Sequence, residues 1–221
     1  QHNTSGFVSL KSANINSVKD FEGKTYAGWG APSEEAVIKA VMNEAGADFS
    51  KLNIVGSDGS GIAGLSDEVG KNKVNLGWEF YGWAIIKALQ DGYDLNYMPL
   101  ADLDSRLDYY TPVIITNNKM IKKNSDTIQK FMEATKKGYE YAIDHPSKAA
   151  EILHDDALTD TDLKFLKESQ KYLSSQYAKD ADTWGVMKDS VWDNYTDFMY
   201  ETGLIDHKID AKDQYTNEFV K

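Results

Sequence analysis

The chain has 221 residues, 41% of them hydrophobic, a formal net charge of −11 and no cysteine. That length and apolar content suffice for one large packed domain or two lobes and exclude a disordered chain. The acidic balance argues against nucleic acid and against docking on anionic lipid through a basic face, and the lack of cysteine removes disulfides, thiolate nucleophiles and cysteine-based metal sites.

In chain order, "KTYAGWG" (24–30) predicts a strand ending in a glycine turn. In "SEEAVIKAVMNEAG", Ala36, Val37, Ala40 and Val41 fall at helical spacing, with Ser33 placed to cap, Glu34 and Glu35 at the positive end, and Gly46 as the stop. "KLNIV" (51–55) predicts a second strand, "GSDGSG" a loop and "IAGLSDEVGK" a short helix. "VNLGW" (74–78) predicts a strand, "YGWAIIKALQDG" a helix closed by Gly92, and "DLNYMPL" another strand. Alternation of strand and helix predicts a mostly parallel sheet with helices on its faces.

From "TPVIITNN" (111–118) the pattern turns helical. "SDTIQKFMEATKKGYEYAID" sets Ile128, Phe131, Met132, Thr135 and Tyr139 on one stripe, and Pro146 opens the next helix. "TDTDLKFLKESQKYLSSQYA" and "TWGVMKDSVWDNYTDFMYETG" are two further helices, the last closed by Gly203. The polar end "KIDAKDQYTNEFVK" is expected along the surface. No run of about 18 apolar residues predicts a membrane-spanning helix.

Metal and nucleophile patterns are weak. The histidines His2, His145, His154 and His207 show no ligand spacing, "GSDGSG" lacks the Lys-Ser/Thr of a phosphate loop, and no G-x-S-x-G occurs. No cofactor or metal is expected. The strongest pattern is aromatic: "NLGWEFYGWA" (75–84), with Trp78 at a strand end and Tyr81 and Trp83 in the following turn, and Trp29 in the same position after the earlier strand. Core packing is the plain explanation for any single ring. Rings on strand-end turns, with glycines allowing close backbone approach, also suit a slot that sandwiches a flat heterocycle. Glu34, at the carboxyl end of a strand, is placed to read a ring amine or protonated nitrogen.

"QHNTSGFVSLKS", "DFEGKTYAGWGAPSEEAVIKAVM", "GWEFYGWAIIKAL", "LDYYTPVIITNNKMI" and "KFMEATKKGYEYAIDHPSKAAEIL" together resemble the thiamine-pyrimidine group of ABC-transporter substrate-binding proteins, which resemble fungal thiamine-pyrimidine synthases in fold. The resemblance implies an α/β, type II periplasmic-binding fold: an α/β lobe over 10–110, with 1–9 and 111–221 as hinge strands and the helical remainder of the other lobe. It implies an extracytoplasmic carrier, periplasmic or lipid-anchored, that captures a formylaminopyrimidine or hydroxymethylpyrimidine and delivers it to a permease and its ATPase. By the same resemblance Trp29, Trp78, Tyr81 and Trp83 are ring-packing positions, Ser33 and Glu34 face the cleft, Asn3 and Thr4 belong to the first crossing, and Tyr109 and Thr111 to the second. The group carries a further half-lobe before "QHNTSG", so exposed apolar faces, and self-association or a domain swap, are expected. Three other readings stand beside the carrier. One is a fragment or pseudo-carrier that binds no ligand, and one is a carrier of riboflavin or another flat heterocycle. The third is a synthase-like enzyme, which in the fungal relatives uses a cysteine-rich motif that this chain lacks.

Overall fold

The computed structural model describes residues 1–70 and 73–220. The chain divides into two compact units. A sheet unit comprises Thr4–Asp108 and Thr196–Lys208; a helical unit comprises Gln1–Asn3, Tyr109–Tyr195 and Ile209–Lys221.

The sheet unit is built on five strands, β1 (Ser5–Leu10), β2 (Thr25–Gly28), β3 (Asn53–Gly56), β4 (Leu76–Phe80) and β5 (Leu95–Pro99), in the order β3-β2-β4-β1-β5. β2 runs parallel to β3 and β4, whereas β1 is antiparallel to both β4 and β5. The sheet is therefore mixed rather than uniformly parallel. The reversed strand is the segment whose sequence shows least alternation, because β1 is buried along nearly its whole length and needs no polar face. Strand period sends successive side chains to opposite faces. Phe7 meets Phe21, Tyr26 and Trp78 on one side, while Val8 joins Ile62, Ile85, Ala88 and Leu95.

The parallel β2–β4 relation brings the carboxyl ends of both strands to one edge of the sheet. Buried Asn75 fixes that register. Its Oδ1 accepts the Thr25 N–H at 3.0 Å and its Nδ2 donates to the carbonyls of Ser66 and Glu68. A buried polar side chain with all these bonds made is a register pin, since a slip would orphan each of them.

Local differences from the sequence reading have simple causes. Helix α1 spans Pro32–Glu44 with Ala31, not Ser33, at the cap, because Pro32 fills the first helical position, where its missing N–H costs nothing. Gly46 follows with φ of 68°, as the stop requires. The "IAGLSDEVGK" stretch forms a single tight turn over Gly61–Gly64 in place of a helix, and its last residue, Lys71, lies outside the described residues. After β4 the chain makes a wide π-type turn over Tyr81–Ile85 before helix α2 (Ile86–Gln90). Helix α3 (Leu100–Leu103) follows β5.

In the helical unit, α4 (Asn118–Lys123), α5 (Ser125–Asp144), α6 (Pro146–Asp156), α7 (Leu163–Ser174) and α9 (Ala211–Gln214) appear in turn, and α8 (Asp189–Glu201) starts there. Asp162 caps α7 by accepting the N–H groups of Lys164 and Phe165, and Phe165 and Leu166 are buried. Tyr139 stacks on Trp184 with centroids 4.3 Å apart and planes at 16°. The C-terminal stretch is more than a surface strap, since Phe219 and Val220 are buried. Two other features are less enclosed: α5 contains no fully buried residue, and Val113, Ile114 and Ile115 are all exposed.

Candidate ligand slot at the strand ends

Three glycines form a floor where adjacent strands end. Gly28 closes β2 and pairs in register with Gly56 at the end of β3, and Gly77 lies in β4. Together with Trp29, Trp78, Glu79, Ser57, Asp58 and Ser60 they line a cavity of about 240 Å³ within the sheet unit. The loop 56–61, unremarkable in sequence, supplies much of this rim. It is tied down by the Ser57 N–H donating to the Gly28 carbonyl at 2.7 Å and by Ser60 N–H donating to Asp58 Oδ1.

Trp78 serves both core and slot. Its ring packs against buried Phe7 at 5.8 Å on the core side of the sheet, and the residue is also among those that line the cavity. Trp29 stands out from the turn, 61% exposed, with its centroid 5.2 Å from that of Trp78 and the planes at 59°. A planar guest between two rings needs about twice the ~3.5–4.0 Å contact distance. The indoles are too close for that. They form a corner, not a sandwich, so a ligand would stack on an open ring face.

The polar side of the slot is acidic. Glu79 projects to the face opposite Trp78, with its carboxylate beside Gly61. Burial holds its carboxyl above the usual carboxylate range. At the mouth, the Ser60 hydroxyl and N–H keep the Asp58 carboxyl below that range. Among the described lining residues there is no Lys, Arg or His. An acidic lining with tryptophans among its residues favours a flat ligand that presents an amine or a protonated ring nitrogen and disfavours an anion. Glu79 is absent from the sequence candidates because the rings around it dominate the motif. Its position in a strand directly after Trp78 was the available clue.

Other sequence candidates lie elsewhere. Glu34 sits beneath the turn, 3% exposed, and does not line the cavity. It accepts from Tyr26 Oη at 2.5 Å, from the Trp29 N–H at 3.2 Å and from the Gly30 N–H at 2.8 Å. Ser33 is exposed on the first turn of α1. Tyr81 packs on the core cluster and on Tyr97, 5.3 Å between centroids, and Trp83 is exposed; neither lines the slot. Thr4 is buried in the sheet unit, where its carbonyl accepts from Tyr97 Oη and the Tyr81 N–H. Asn3, Tyr109 and Thr111 belong to the helical unit. There Tyr109 packs on Tyr195 at 4.3 Å, burial pushes its phenol up to about 12, and the Thr111 N–H donates to the Gln1 carbonyl.

A larger cavity, about 710 Å³, opens in the helical unit against Ile114, Ile115, Phe131 and Tyr139. Its walls are the exposed segment 113–115 and the unburied stripe of α5. Its lining also includes Asp180, Trp184, Trp192, Asp213 and Tyr215, so rings and carboxylates meet there as well, over a wider space than in the smaller slot.

The fold and the slot place the chain among α/β solute-binding folds. The alkanesulfonate-binding protein SsuA from Xanthomonas axonopodis pv. citri, solved with MOPS, superposes with a TM-score of 0.65 at 10% identity, over 95% of this chain and 68% of that one. The desulfurization enzyme DSZB superposes with a TM-score of 0.59 at 10% identity, over 99% of this chain and 75% of that one. At such identities the likeness shows the fold alone. The chain belongs to the NMT1/THI5-like family, whose model matches residues 1–149. The formylaminopyrimidine-binding protein of Halalkalibacterium halodurans is 25% identical over 148 residues, which is 65% of this chain and 42% of that protein. The chain thus spans less than half the length of this curated relative.

Proposed function

We propose that this chain is the ligand-capturing part of an extracytoplasmic solute-binding protein of an ABC importer, and that its ligand is an amino-substituted pyrimidine of the thiamine-precursor type. The observation that carries this reading is one small strand-end cavity that counts Trp29, Trp78 and the half-buried Glu79 among its lining residues. The pyrimidine face lies on indole, and its amine donates to Glu79. Ser57 and Ser60 supply further hydrogen bonds at the rim. Family membership and the named pyrimidine-binding relative support the same ligand class.

Size and charge separate this reading from its rivals. A cavity of about 240 Å³ falls below the roughly 300–1,000 Å³ of drug-sized sites and suits a single ring better than a three-ring flavin. Two carboxylates, with no cation among the described lining residues, oppose a sulfonate, whatever the fold neighbours bind. Carriage rather than turnover is supported by the named formylaminopyrimidine-binding relative. The proposal includes delivery to a membrane permease and its ATPase. It also includes self-association through the exposed apolar face of the helical unit, which light scattering would register as a dimer.

Calorimetric titration with formylaminopyrimidine, hydroxymethylpyrimidine, riboflavin and an alkanesulfonate tests the ligand class. Saturable binding of one or both pyrimidines, tighter than of the other two compounds, is expected. Preference for the flavin or the sulfonate, or no heat from any of the four, overturns the proposal.

A further inference from the structure

Glu34 is a nearly fully buried carboxylate that takes no part in lining the slot, yet three donors converge on it. Two of them are consecutive backbone N–H groups of the turn that carries Trp29. We infer that Glu34 is the positioning residue of the slot: from beneath, its carboxylate clamps the 28–30 turn and thereby holds the Trp29 indole against Trp78.

The sequence builds this clamp from four residues. Gly28 must lack a side chain, because a Cβ there would lie 2.1 Å from Glu34 Oε1. Gly30 adopts φ of 78°, which turns its N–H back toward Glu34 Oε2. Tyr26 is fully buried and donates its hydroxyl to Oε1, and burial together with the neighbouring carboxylate pushes the phenol far above its usual value. Glu34 stands in the first turn of α1, a helix of 13 residues, where the positive helix end favours its charge. A carboxylate can accept from all three donors at once. An amide of the same shape cannot, since its NH2 would face an N–H. Trp29, largely exposed, has its ring against Trp78, so the backbone clamp decides where the indole points.

The inference uses the proposed binding role only for one of its readouts. Two indoles this close give an exciton couplet in far-UV circular dichroism, and it is measured on the ligand-free protein. Trp29→Phe sets the zero. Glu34→Gln is expected to remove most of the couplet while the protein still unfolds cooperatively, and to weaken binding of 4-aminopyrimidine about tenfold. Tyr26→Phe, which leaves both backbone bonds, is expected to retain the couplet. A folded Glu34→Gln protein with an intact couplet overturns the inference, whether its loss is in melting temperature alone, marking a structural role, or in affinity alone, marking a ligand contact. Should Glu34→Gln fail to fold, Gly28→Ala crowds the same carboxylate with Glu34 in place. Loss of the couplet there supports the clamp, and its retention overturns it. If 4-aminopyrimidine does not bind even the unaltered protein, the ligand class fails while the couplet still decides the role of Glu34.

Discussion

The two units treat their apolar residues differently. In the sheet unit Phe7, Phe21, Tyr26, Ile38, Met42 and Leu76 are fully enclosed, and the exposed Trp29 stands at a strand end in a cavity that carboxylates also line. In the helical unit a 20-residue helix has no fully buried residue, Phe131 is 56% exposed and Ile115 85% exposed. In the first unit one exposed ring, Trp29, belongs to a shaped slot, whereas the exposed residues 113–115 and Phe131 of the second lie along a broader face. Exposure by itself does not mark a site; exposure joined to a carboxylate and a glycine floor does.

The sharpest contrast is in stability. Phe7→Ala should cost about 3–5 kcal/mol by denaturant unfolding, because it opens a cavity among Phe21, Tyr26 and Trp78. A loss below about 1 kcal/mol would mean that the sheet unit is no better packed than its neighbour.

Binding comes next, and it should belong to the sheet unit. Glu79→Gln should weaken capture of an aminopyrimidine by about 1.5–3 kcal/mol, the range for hydrogen bonds to charged groups, measured by calorimetry. Trp29→Ala should cost about 1–3 kcal/mol of affinity while unfolding stays within roughly 0.5 kcal/mol, since the ring is mostly exposed.

A smaller effect arises from the burial of Glu79. Its folded-state pKa is raised, so the folded protein holds the proton more tightly than the unfolded chain. The resulting stability is present below the ordinary carboxylate range and is lost as pH rises through the raised value. Affinity for an amine-bearing ligand should move the opposite way, growing as Glu79 ionises over the same interval. Glu79→Gln should flatten both trends. Parallel slopes would detach Glu79 from the ligand.

The least effect is expected on the uncovered face. Phe131→Ala should change the stability of these 221 residues by no more than about 0.5 kcal/mol. A loss of about 2 kcal/mol would show that α5 is packed in solution.

Much of the sheet unit was legible in sequence. β2, α1, β3, β4 and β5 follow from alternation, glycine stops and helical spacing, and the parallel β2–β4 pair brings Trp29 and Trp78 together as their equivalent positions suggested. The features that were not legible depended on contacts distant in sequence. The antiparallel direction of β1 is set by its partners β4 and β5, which lie far along the chain. Ser33 carries capping chemistry, but Pro32 beside it takes the first helical position and puts the cap at Ala31. Glu34 was legible as a carboxylate at a strand end, but its burial under Tyr26 was not. Tyr81 and Trp83 share a short motif with Trp78, yet the π-type turn carries them away from the slot.

The central claim is that the indole corner of the sheet unit, with Glu79, holds a planar nitrogen heterocycle. Tryptophan fluorescence during titration with 4-aminopyrimidine tests it most directly, using the unaltered protein, Trp29→Phe, Trp78→Phe and Trp192→Phe. Saturable quenching in the unaltered protein and in Trp192→Phe, strongly reduced in the other two, is the predicted result. Quenching that survives loss of Trp29 and Trp78, that disappears with Trp192, or that never occurs would contradict it.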